Sequence, residues 1–399
     1  MPLSKIGFLI MVSMIAWSGF SVPTLYGAVL SVGPGKTYTK PCQAAAAAQD
    51  GDTIEIDAGT YVNDTCYWYA NNLTIRGVGA GRSVLDVSGF TIPNQKAIWV
   101  IAGNDTTVEN IEFAHASVPD QNGAGIRQEG TGLTIRNCYF HDNEDGILTT
   151  GDPNCDILIE YSEFARNGFG NGYSHNMYIG NIRSFTLQYS YTHQAIVGQE
   201  IKSRAYTNYI LYNRISNETG SASYEVSFPN GGTAYVIGNV IEQGPQSQNS
   251  TIVTFAEEGA TNPTPQELYV VNNTIVNDLG RGTFVNVAGT PSVSKLINNI
   301  FWGSGTVLSG PGAQTTNLTS NPKLVNQAGY DYHLQSGSPA IDAGTPPGMA
   351  GSFDLTPVWQ YVHPMSRQSR AVAGSRIDIG AYEFSSSPPP AAPANLRTR

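Results

Sequence analysis

Short stretches in which apolar and polar residues alternate recur along most of this chain. Between Asn71 and about Gly303 they read NLTIRGVG, TTVENIEF, LTIRNCYF, ILIEYSEF, FTLQYSYT, YILYNRIS, YVIGNVIE, LYVVNNTI and SKLINNIF. Alternation sends successive side chains to opposite faces, so each stretch predicts a short β-strand with one buried face. A second strand in several repeats is predicted by AGIRQ, DGILTT, HNMYIG, QEIKSR and YEVSF.

Aligning the longer stretches places Asn or Tyr at one repeated position, at intervals of 24 to 34 residues. The aligned residues are Asn110, Asn137, Tyr161, Tyr189, Asn213, Asn239, Asn273 and Asn299. Asparagine tolerates a turn with positive φ, and its amide can bond to stacked neighbours. Such repeats predict a coil of parallel strands, and their unequal lengths predict longer loops on one side, beside a binding groove.

Composition agrees with an all-β chain. Only 13% of the 399 residues are charged, whereas glycine and tyrosine are abundant at 43 and 21. A repeat architecture allows this length to form a single domain. The net charge of −10 argues against a nucleic-acid partner, although an acidic polymer could bind where positive charge is concentrated.

The two ends of the chain predict segments outside the folded domain. Lys5 precedes an apolar run over residues 6–20, which with Gly27-Ala28 predicts a secretory signal peptide over residues 1–28. An uncleaved anchor is the alternative. The folded domain is then residues 29–384, followed by a Pro-rich disordered tail over 385–399. We expect the mature protein to be secreted or periplasmic, and not in a membrane.

A helix and two disulfides are predicted near the start of the domain. Residues 42–49 carry a helix signal, and a helix here would cover the open end of a strand coil. Four cysteines in an exported chain favour disulfides, and three pairings are possible. The shortest loops are closed by Cys42–Cys66 and Cys138–Cys155, which are the predicted pairs; free buried thiols are the alternative.

Together, the capping helix, the asparagine column and the irregular coils resemble the right-handed parallel β-helix of the pectate-lyase-like superfamily. The resemblance covers nearly all of the mature chain. It implies an all-β, single-domain solenoid with caps at both ends, and we expect a monomer. Because this superfamily includes polysaccharide lyases, glycoside hydrolases, epimerases and adhesins, the fold alone does not decide the function.

The chemistry is expected where the shorter strands stack. If Ile147, Met177 and Ile201 point inward, their neighbours point outward. One outward column would then be Gly125, Gly146, Asn176, Glu200 and Glu225, and the next would be Arg127, Leu148, Tyr178, Lys202 and Ser227. Stacked coils lie about 4.8 Å apart, which would bring these polar side chains together.

This group contains what a lyase for uronic-acid polymers needs. A lyase must neutralise a carboxylate, remove the adjacent proton and protonate the leaving oxygen. We assign Lys202 as the base, favoured by the nearby charge of Arg204, which would bind the carboxylate. Tyr178 or His175 would protonate the leaving group, and His193 is a further catalytic candidate. The predicted substrate-binding residues are Asn176, Arg183, Arg214, Glu225 and Asn230.

The outward column of Asn176, Glu200 and Glu225 also resembles the calcium site of chondroitinase-B-like and alginate lyases. This resemblance implies one Ca²⁺ held by Asn and Glu from neighbouring coils. The chain lacks the longer Asn-Gly-Glu signature that usually surrounds those ligands.

Two other functions compete with an acidic-polysaccharide lyase. A glycoside hydrolase needs two suitably spaced carboxylates, for which Glu200 with Glu225 or Asp142 with Asp145 are the candidates. A non-catalytic glycan-binding protein would use the same groove without a base.

Overall fold

The computed structural model describes residues 27–385 as a parallel β-solenoid of about 11 turns. The parallel β-helix predicted from the repeats is confirmed. Residues 1–26 of the predicted signal peptide and residues 386–399 of the predicted tail lie outside the described part of the chain.

Nearly all of the regular structure is short strands. The strands of the solenoid are, in chain order, β1 Val29–Val32, β2 Thr53–Val62, β3 Cys66–Trp68, β4 Thr74–Asp86, β5 Ala97–Ile101, β6 Thr106–Glu109, β7 Ile111–Ala114, β8 Ala124–Gln128, β9 Leu133–Arg136, β10 Tyr139–His141, β11 Asp145–Thr149, β12 Asp156–Glu160, β13 Glu163–Ala165, β14 Met177–Ile179, β15 Ser184–Gln188, β16 Tyr191–His193, β17 Ile201–Ser203, β18 Thr207–Leu211, β19 Arg214–Ser216, β20 Val226–Phe228, β21 Thr233–Ile237, β22 Val240–Gln243, β23 Thr251–Phe255, β24 Glu267–Val271, β25 Thr274–Asn277, β26 Thr283–Val287, β27 Val293–Ile297, β28 Ile300–Gly303, β29 Thr306–Ser309 and β30 Ala313–Thr315. The remaining elements are the helix α1 Pro41–Ala45, the 3₁₀ turn Gln327–Gly329, and the strands β31 Leu324–Asn326, β32 Asp331–Leu334, β33 Met349–Ala350, β34 Phe353–Asp354, β35 Trp359–Val362 and β36 Ser366–Ser369.

Each full turn of the solenoid contributes one strand to each of three faces. Face 1 contains β1, the start of β2 and of β4, then β6, β9, β12, β15, β18, β21, β24, β27 and β30. Face 2 contains the end of β2 and of β4, then β7, β10, β13, β16, β19, β22, β25 and β28. Face 3 is a separate 10-stranded sheet of β3, β5, β8, β11, β14, β17, β20, β23, β26 and β29.

The predicted asparagine column combines two neighbouring columns at the corner between faces 1 and 2. Asn110, Asn137, Tyr161 and Tyr189 adopt positive φ. The interior column lies one residue further along the chain: Cys138, Ser162, Ser190, Asn213, Asn239, Asn273, Asn299 and Asn317. From Ser162 onward, each side-chain oxygen accepts the backbone N–H of the residue one coil earlier. This ladder satisfies backbone donors that the turn would leave unpaired inside the protein.

The interior is filled by inward-pointing side chains stacked from coil to coil. On face 2 the rings of Phe113, Phe140 and Phe164 stack in parallel, with centroids 4.8 and 4.7 Å apart. All three are fully buried. In-register parallel strands place identical positions above one another, so this stacking follows directly from the repeat.

The N-terminal helix is shorter than predicted, covering Pro41–Ala45 where the sequence predicts residues 42–49. Its residue Cys42 is joined to Cys66 by a disulfide with Cα atoms 5.6 Å apart, which confirms that pairing. The disulfide ties the helix to β3, at the start of face 3.

The predicted Cys138–Cys155 disulfide is wrong. Both thiols are buried and free. Cys138 follows β9, whereas Cys155 precedes β12 and lies beside the opposite end of β9, because Ile157 pairs with Leu133. About seven residues of extended chain, roughly 20 Å, therefore separate the two positions, far beyond the reach of a disulfide.

The segment after residue 318 packs along faces 1 and 2. Phe353 contacts the rings of Tyr209 and Tyr235 on face 1, with centroids 5.5 and 4.3 Å away. On face 2, Arg214 donates to the carbonyl of Tyr330 at 3.1 Å. This segment therefore covers the C-terminal part of two faces.

Within residues 27–385, no helix is both long and apolar enough to cross a membrane.

Candidate active site

The outer surface of face 3 carries part of the site that the sequence predicts. Strand pairing aligns Arg127, Leu148, Tyr178, Lys202 and Ser227 in one column, which confirms this predicted alignment. The alternating inward positions Ile126, Ile147, Met177, Ile201 and Val226 are fully buried. Alternation within the strands therefore holds, and Tyr178 and Lys202 lie side by side on adjacent coils.

Tyr178, Lys202 and Arg204 form a compact cluster whose two cations pair with one carboxylate. The Nε of Arg204 donates to the Tyr178 hydroxyl at 2.9 Å. Its Nη2 donates to Glu258 Oε2 at 2.6 Å, and Lys202 Nζ lies 3.2 Å from Glu258 Oε1. The Lys202 ammonium also lies 5.6 Å from the centre of the Tyr178 ring. Two cations thus converge on one carboxylate, and the Tyr178 hydroxyl is bonded to one of those cations.

Asn230 completes the cluster by accepting a hydrogen bond from Arg204 Nη1. Partial burial would raise the pKa of Glu258, but its bonds to Arg204 and Lys202 hold it below its ordinary value. Burial would lower the pKa of Arg204, but Glu258 and Tyr178 raise it. The side chain of Glu258 is 45% exposed, whereas those of Lys202 and Arg204 are 14% and 17% exposed. Glu258 therefore lies between solvent and the two cations.

His175 lies beneath this cluster and does not face solvent. Its ring stacks on Tyr178 with centroids 5.5 Å apart, and its Nδ1 accepts the backbone N–H of Gln199 at 3.0 Å. Burial, reinforced by the charges of Lys202 and Arg204, holds the pKa of His175 well below its ordinary value. Because His175 is 1% exposed and neutral, its geometry suits support of the Tyr178 ring and not proton donation to a substrate.

The prediction that Asn176, Glu200 and Glu225 point outward is wrong. All three have no exposed surface, and each lies at a bend immediately before β14, β17 or β20. Strict alternation applies only within a strand, and the bend turns two successive side chains into the interior. Gly125 and Gly146 occupy the same corner, where a Cβ would contact the buried rings of Phe140 and Phe164.

Asn176 and Glu200 instead serve an interior polar ladder. Asn167 donates to Asn176 Oδ1 through its backbone at 3.1 Å and through its amide at 2.8 Å. Asn176 in turn donates to Glu200 Oε2 at 2.6 Å. On the next coil, Ala195 occupies the position equivalent to Asn167, and its backbone N–H donates to Glu200 Oε1 at 2.8 Å. These side chains are thus structural acceptors for buried donors.

The same three residues do not fit a calcium ion. The Asn176 oxygen already accepts two hydrogen bonds, and burial raises the pKa of Glu200 to about 7. Burial also raises the pKa of Glu225 well above its ordinary value, with Glu242 and Glu200 adding to the effect. Calcium requires several ionised or carbonyl oxygens around one point. The described chain contains no group of three or more His, Cys, Asp or Glu arranged to hold a metal.

Three predicted site residues lie away from the cluster. Arg183 pairs with Asp156 at the edge of face 1, through Nε at 2.9 Å. His193 is on face 2, where its Nε2 lies 3.1 Å from Glu163 Oε1 and its ring stacks on Tyr191. Arg214 is also on face 2 and is buried against the C-terminal segment. The expectation that these residues join Lys202 in one site is therefore wrong, because they occupy other faces of the solenoid.

The carboxylates proposed for a hydrolase do not face each other across an open site. Asp142 pairs with His141 at 2.6 Å and with Arg166 at 2.8 Å on face 2. Asp145 is buried and accepts the backbone N–H of His175 at 2.7 Å. Glu200 and Glu225 are interior.

Glu258 is the residue that sequence reasoning missed. It follows β23 in the tract Ala256-Glu257-Glu258-Gly259. A signal was present, because the interval from Asn239 to Asn273 is 34 residues, the longest between the aligned residues. The extra residues form the loop that brings Glu258 over Lys202 and Arg204.

Comparisons with known proteins find likeness among solved structures. The crystal structure of the pectate lyase Pel9A is 16% identical, covers 90% of this chain and 97% of its own, and gives a TM-score of 0.46. The ORF18 protein of Geobacillus virus E2 is 12% identical over 67% of this chain and 52% of its own, with a TM-score of 0.40. No protein-family model and no curated protein matches the sequence. The observed parallel β-solenoid is consistent with the pectate-lyase-like β-helix that the sequence resembles.

Proposed function

We propose that this protein is a secreted polysaccharide lyase that cleaves an acidic, uronic-acid-containing polysaccharide by β-elimination. The observation that carries the proposal is the pairing of Lys202 and Arg204 with one carboxylate at the outer surface of face 3, with the Tyr178 hydroxyl bonded to Arg204. A sugar carboxylate has the same charge and shape as the Glu258 carboxylate that occupies this position.

Arg204 would hold the sugar carboxylate after displacing Glu258. Its planar guanidinium offers donors on two sides, and one already binds Tyr178. Neutralising the carboxylate makes the neighbouring C–H bond easier to ionise, which is the difficult step of β-elimination. Asn230, which also accepts from Arg204, would keep the guanidinium in place.

Lys202 would then act as the base and Tyr178 as the acid. As Glu258 moves away, the ammonium of Lys202 would first release one proton to water, and the resulting neutral amine would then take the proton next to the sugar carboxylate. The freed electron pair forms the carbon–carbon double bond and expels the glycosidic oxygen, which receives the Tyr178 proton. The tyrosinate forms beside Arg204 and Lys202, whose charges stabilise it, and a proton passes back from Lys202 to end the cycle.

His175 would position Tyr178 in this scheme. Its buried ring supports the Tyr178 ring from beneath and stays neutral beside two cations. The calcium ion that the resemblance implies has no part in any step, because the residues assigned to it do not fit.

The remaining expectations belong to the same proposal. The segment over residues 1–28 would direct export, the mature protein would act as a monomer outside the cytoplasm, and α1 would close the N-terminal end of the solenoid. Non-catalytic binding of an acidic glycan is the second candidate, because Glu258 pairs with Lys202 and a paired lysine is a poor base.

The test is ultraviolet absorbance during incubation with alginate, pectate, glucuronan, hyaluronan and chondroitin. Each polymer is incubated with calcium, with a chelator, and with the Lys202→Ala variant in place of the wild type. A rise on one polymer that is lost in the variant supports the lyase. Binding to a polymer with no rise supports the second candidate, and neither binding nor a rise on any polymer overturns both.

A further inference from the structure

An exposed aromatic group lies on the loop that leads into β14, the strand of Tyr178, and has no role in the proposed chemistry. Tyr173 is 84% exposed and Phe169 is 48% exposed, on the loop that joins β13 to β14. Ile196, 40% exposed, lies on the corresponding loop of the next coil. Phe169 and Tyr173 form what we call the aromatic rim. Exposed aromatic rings grouped near a polar site are candidates for contact with a ligand.

The loop that carries the aromatic rim is held in one conformation. Gly168, Gly170 and Gly172 have φ of 136°, 94° and 82°, which residues with a side chain rarely adopt. The three glycines also lie close to Ile196 and Val197. A Cβ at Gly168 would be 2.4 Å from the Ile196 carbonyl oxygen. The loop therefore needs glycine at this close contact.

Hydrogen bonds fix both ends of the same loop. Phe169 donates its backbone N–H to Ser174 Oγ at 2.7 Å, and Tyr173 donates to Asn171 Oδ1 at 2.9 Å. The Asn171 amide donates to Gln121 Oε1 at 2.9 Å, on an earlier coil. The exposed rings are therefore presented by an ordered loop, which limits the entropy lost when a ligand packs on them.

The loop that carries Tyr173 runs directly into β14, which carries Tyr178. Tyr173 is two residues before His175, so their Cα atoms are at most about 7 Å apart. The His175 ring stacks on Tyr178 at 5.5 Å, and Tyr178 bonds to Arg204. A polymer that binds Arg204 through a carboxylate can therefore extend along this chain segment toward the exposed ring of Tyr173.

We propose that the aromatic rim is a substrate-binding subsite in which Tyr173 stacks on a sugar ring adjacent to the uronate held by Arg204. The occupant combines apolar C–H faces, which suit an aromatic ring, with carboxylates, which suit the local positive charge. This subsite rests on the proposed function, since it takes the same acidic polysaccharide. Its effect falls on binding, because Tyr173 does not touch the reacting atoms.

The test is affinity electrophoresis in gels that contain each of the five acidic polymers or a neutral β-glucan. The Lys202→Ala background prevents turnover, and Tyr173→Ala, Tyr173→Trp and Arg204→Ala are added to it. Tyr69→Ala is the matched control, because Tyr69 is 70% exposed but lies beyond β3, several coils from Lys202. Because Tyr173 and Tyr69 are exposed, thermal unfolding should not change in either variant.

We expect Tyr173→Ala to weaken binding of the preferred acidic polymer by roughly tenfold, with Tyr173→Trp near the parent and Tyr69→Ala unchanged. In the active enzyme, Tyr173→Ala should raise KM and leave kcat within about twofold. If Tyr173→Ala binds the polymer as tightly as its parent, the subsite is overturned. If in that case Arg204→Ala still loses binding, the proposed function stands. If Tyr173→Ala weakens binding but the parent prefers the neutral glucan, Tyr173 forms a stacking site and the proposed acidic occupant is overturned. No retention by any gel overturns the subsite.

Discussion

A carboxyl group buried beneath the C-terminal segment should make the stability of this protein depend on pH. Glu242, on β22, has no exposed surface. Its Oε2 accepts the Ser216 hydroxyl at 2.8 Å and the Glu218 backbone N–H at 2.7 Å, while its Oε1 has no hydrogen-bond partner. Burial, with nearby Asp278 and Glu218, raises the pKa of Glu242 from 4.5 to about 7.

The direction and size of the effect follow from that difference. The folded state holds this proton more tightly than the unfolded chain, so the stability is fully present below about pH 4.5 and is lost as pH rises through about 7. At about 1.4 kcal/mol per pKa unit, the loss approaches about 3 kcal/mol.

Glu242→Gln removes the titration and preserves the contacts. The amide oxygen can still accept from Ser216 and Glu218, and the amide nitrogen replaces the unpaired Oε1. We expect wild type and variant to have similar free energies of unfolding near pH 4.5, and the variant to be more stable by about 3 kcal/mol near pH 8.5. Urea unfolding followed by tryptophan fluorescence at the two pH values measures both quantities.

A second variant should change the pH dependence of stability in the opposite direction. The backbone N–H of Thr356 lowers the pKa of Asp354, so Asp354 stabilises the folded state above its ordinary pKa and that stability is lost in acid. Asp354→Asn should therefore lose stability near neutral pH and approach the wild type in acid. A Glu242→Gln variant that shows the same pH dependence as the wild type would refute the reasoning about the buried carboxyl.

Four other changes have defined outcomes. Cys42→Ser opens a loop between cysteines separated by 24 residues and should lower the free energy of unfolding by about 3 kcal/mol; an unchanged urea midpoint would contradict this. Asn239→Ala leaves buried backbone groups of the interior ladder unpaired and should lower the free energy of unfolding. A decrease of less than about 1 kcal/mol would contradict the role of the ladder. Burial and the charge of Arg214 lower the pKa of His363 to about 4, so the protein should lose stability as pH falls from about 6.5. His363→Phe should therefore weaken the dependence of the unfolding free energy on pH in acid, and an unchanged dependence would refute this. Glu258→Gln should bind acidic polymers more tightly than wild type in affinity gels, because the competing charge is removed, and weaker binding would show that Glu258 helps the ligand.

The fold could be predicted because every coil repeats the same physical requirement. Alternation recurs in the strands, and side-chain acceptors recur at the corner from Ser162 to Asn317, so no single residue decides the architecture. The repeat could not show that the aligned column passes from the positive-φ position at Tyr189 to the interior position at Asn213. Both Asn and Tyr occur at positive φ, so residue type does not distinguish the two positions.

The site could be predicted only where strand periodicity applies. Tyr178 and Lys202 lie within strands, and their alternation places them outward as expected. Asn176 and Glu200 lie one residue before their strands, at a bend, where period two no longer determines direction. Glu258 reaches the site through a loop after β23, and loop conformation depends on tertiary contacts that no periodic pattern encodes.

The most direct test of the central claim is product analysis after cleavage in water enriched in heavy oxygen. The polymer that gives the ultraviolet signal is digested with wild type, and the oligosaccharides are weighed by mass spectrometry. β-Elimination breaks the carbon–oxygen bond without adding water, so we expect unsaturated products with no heavy oxygen at the cleaved ends. Saturated products that carry heavy oxygen would contradict it and show hydrolysis instead.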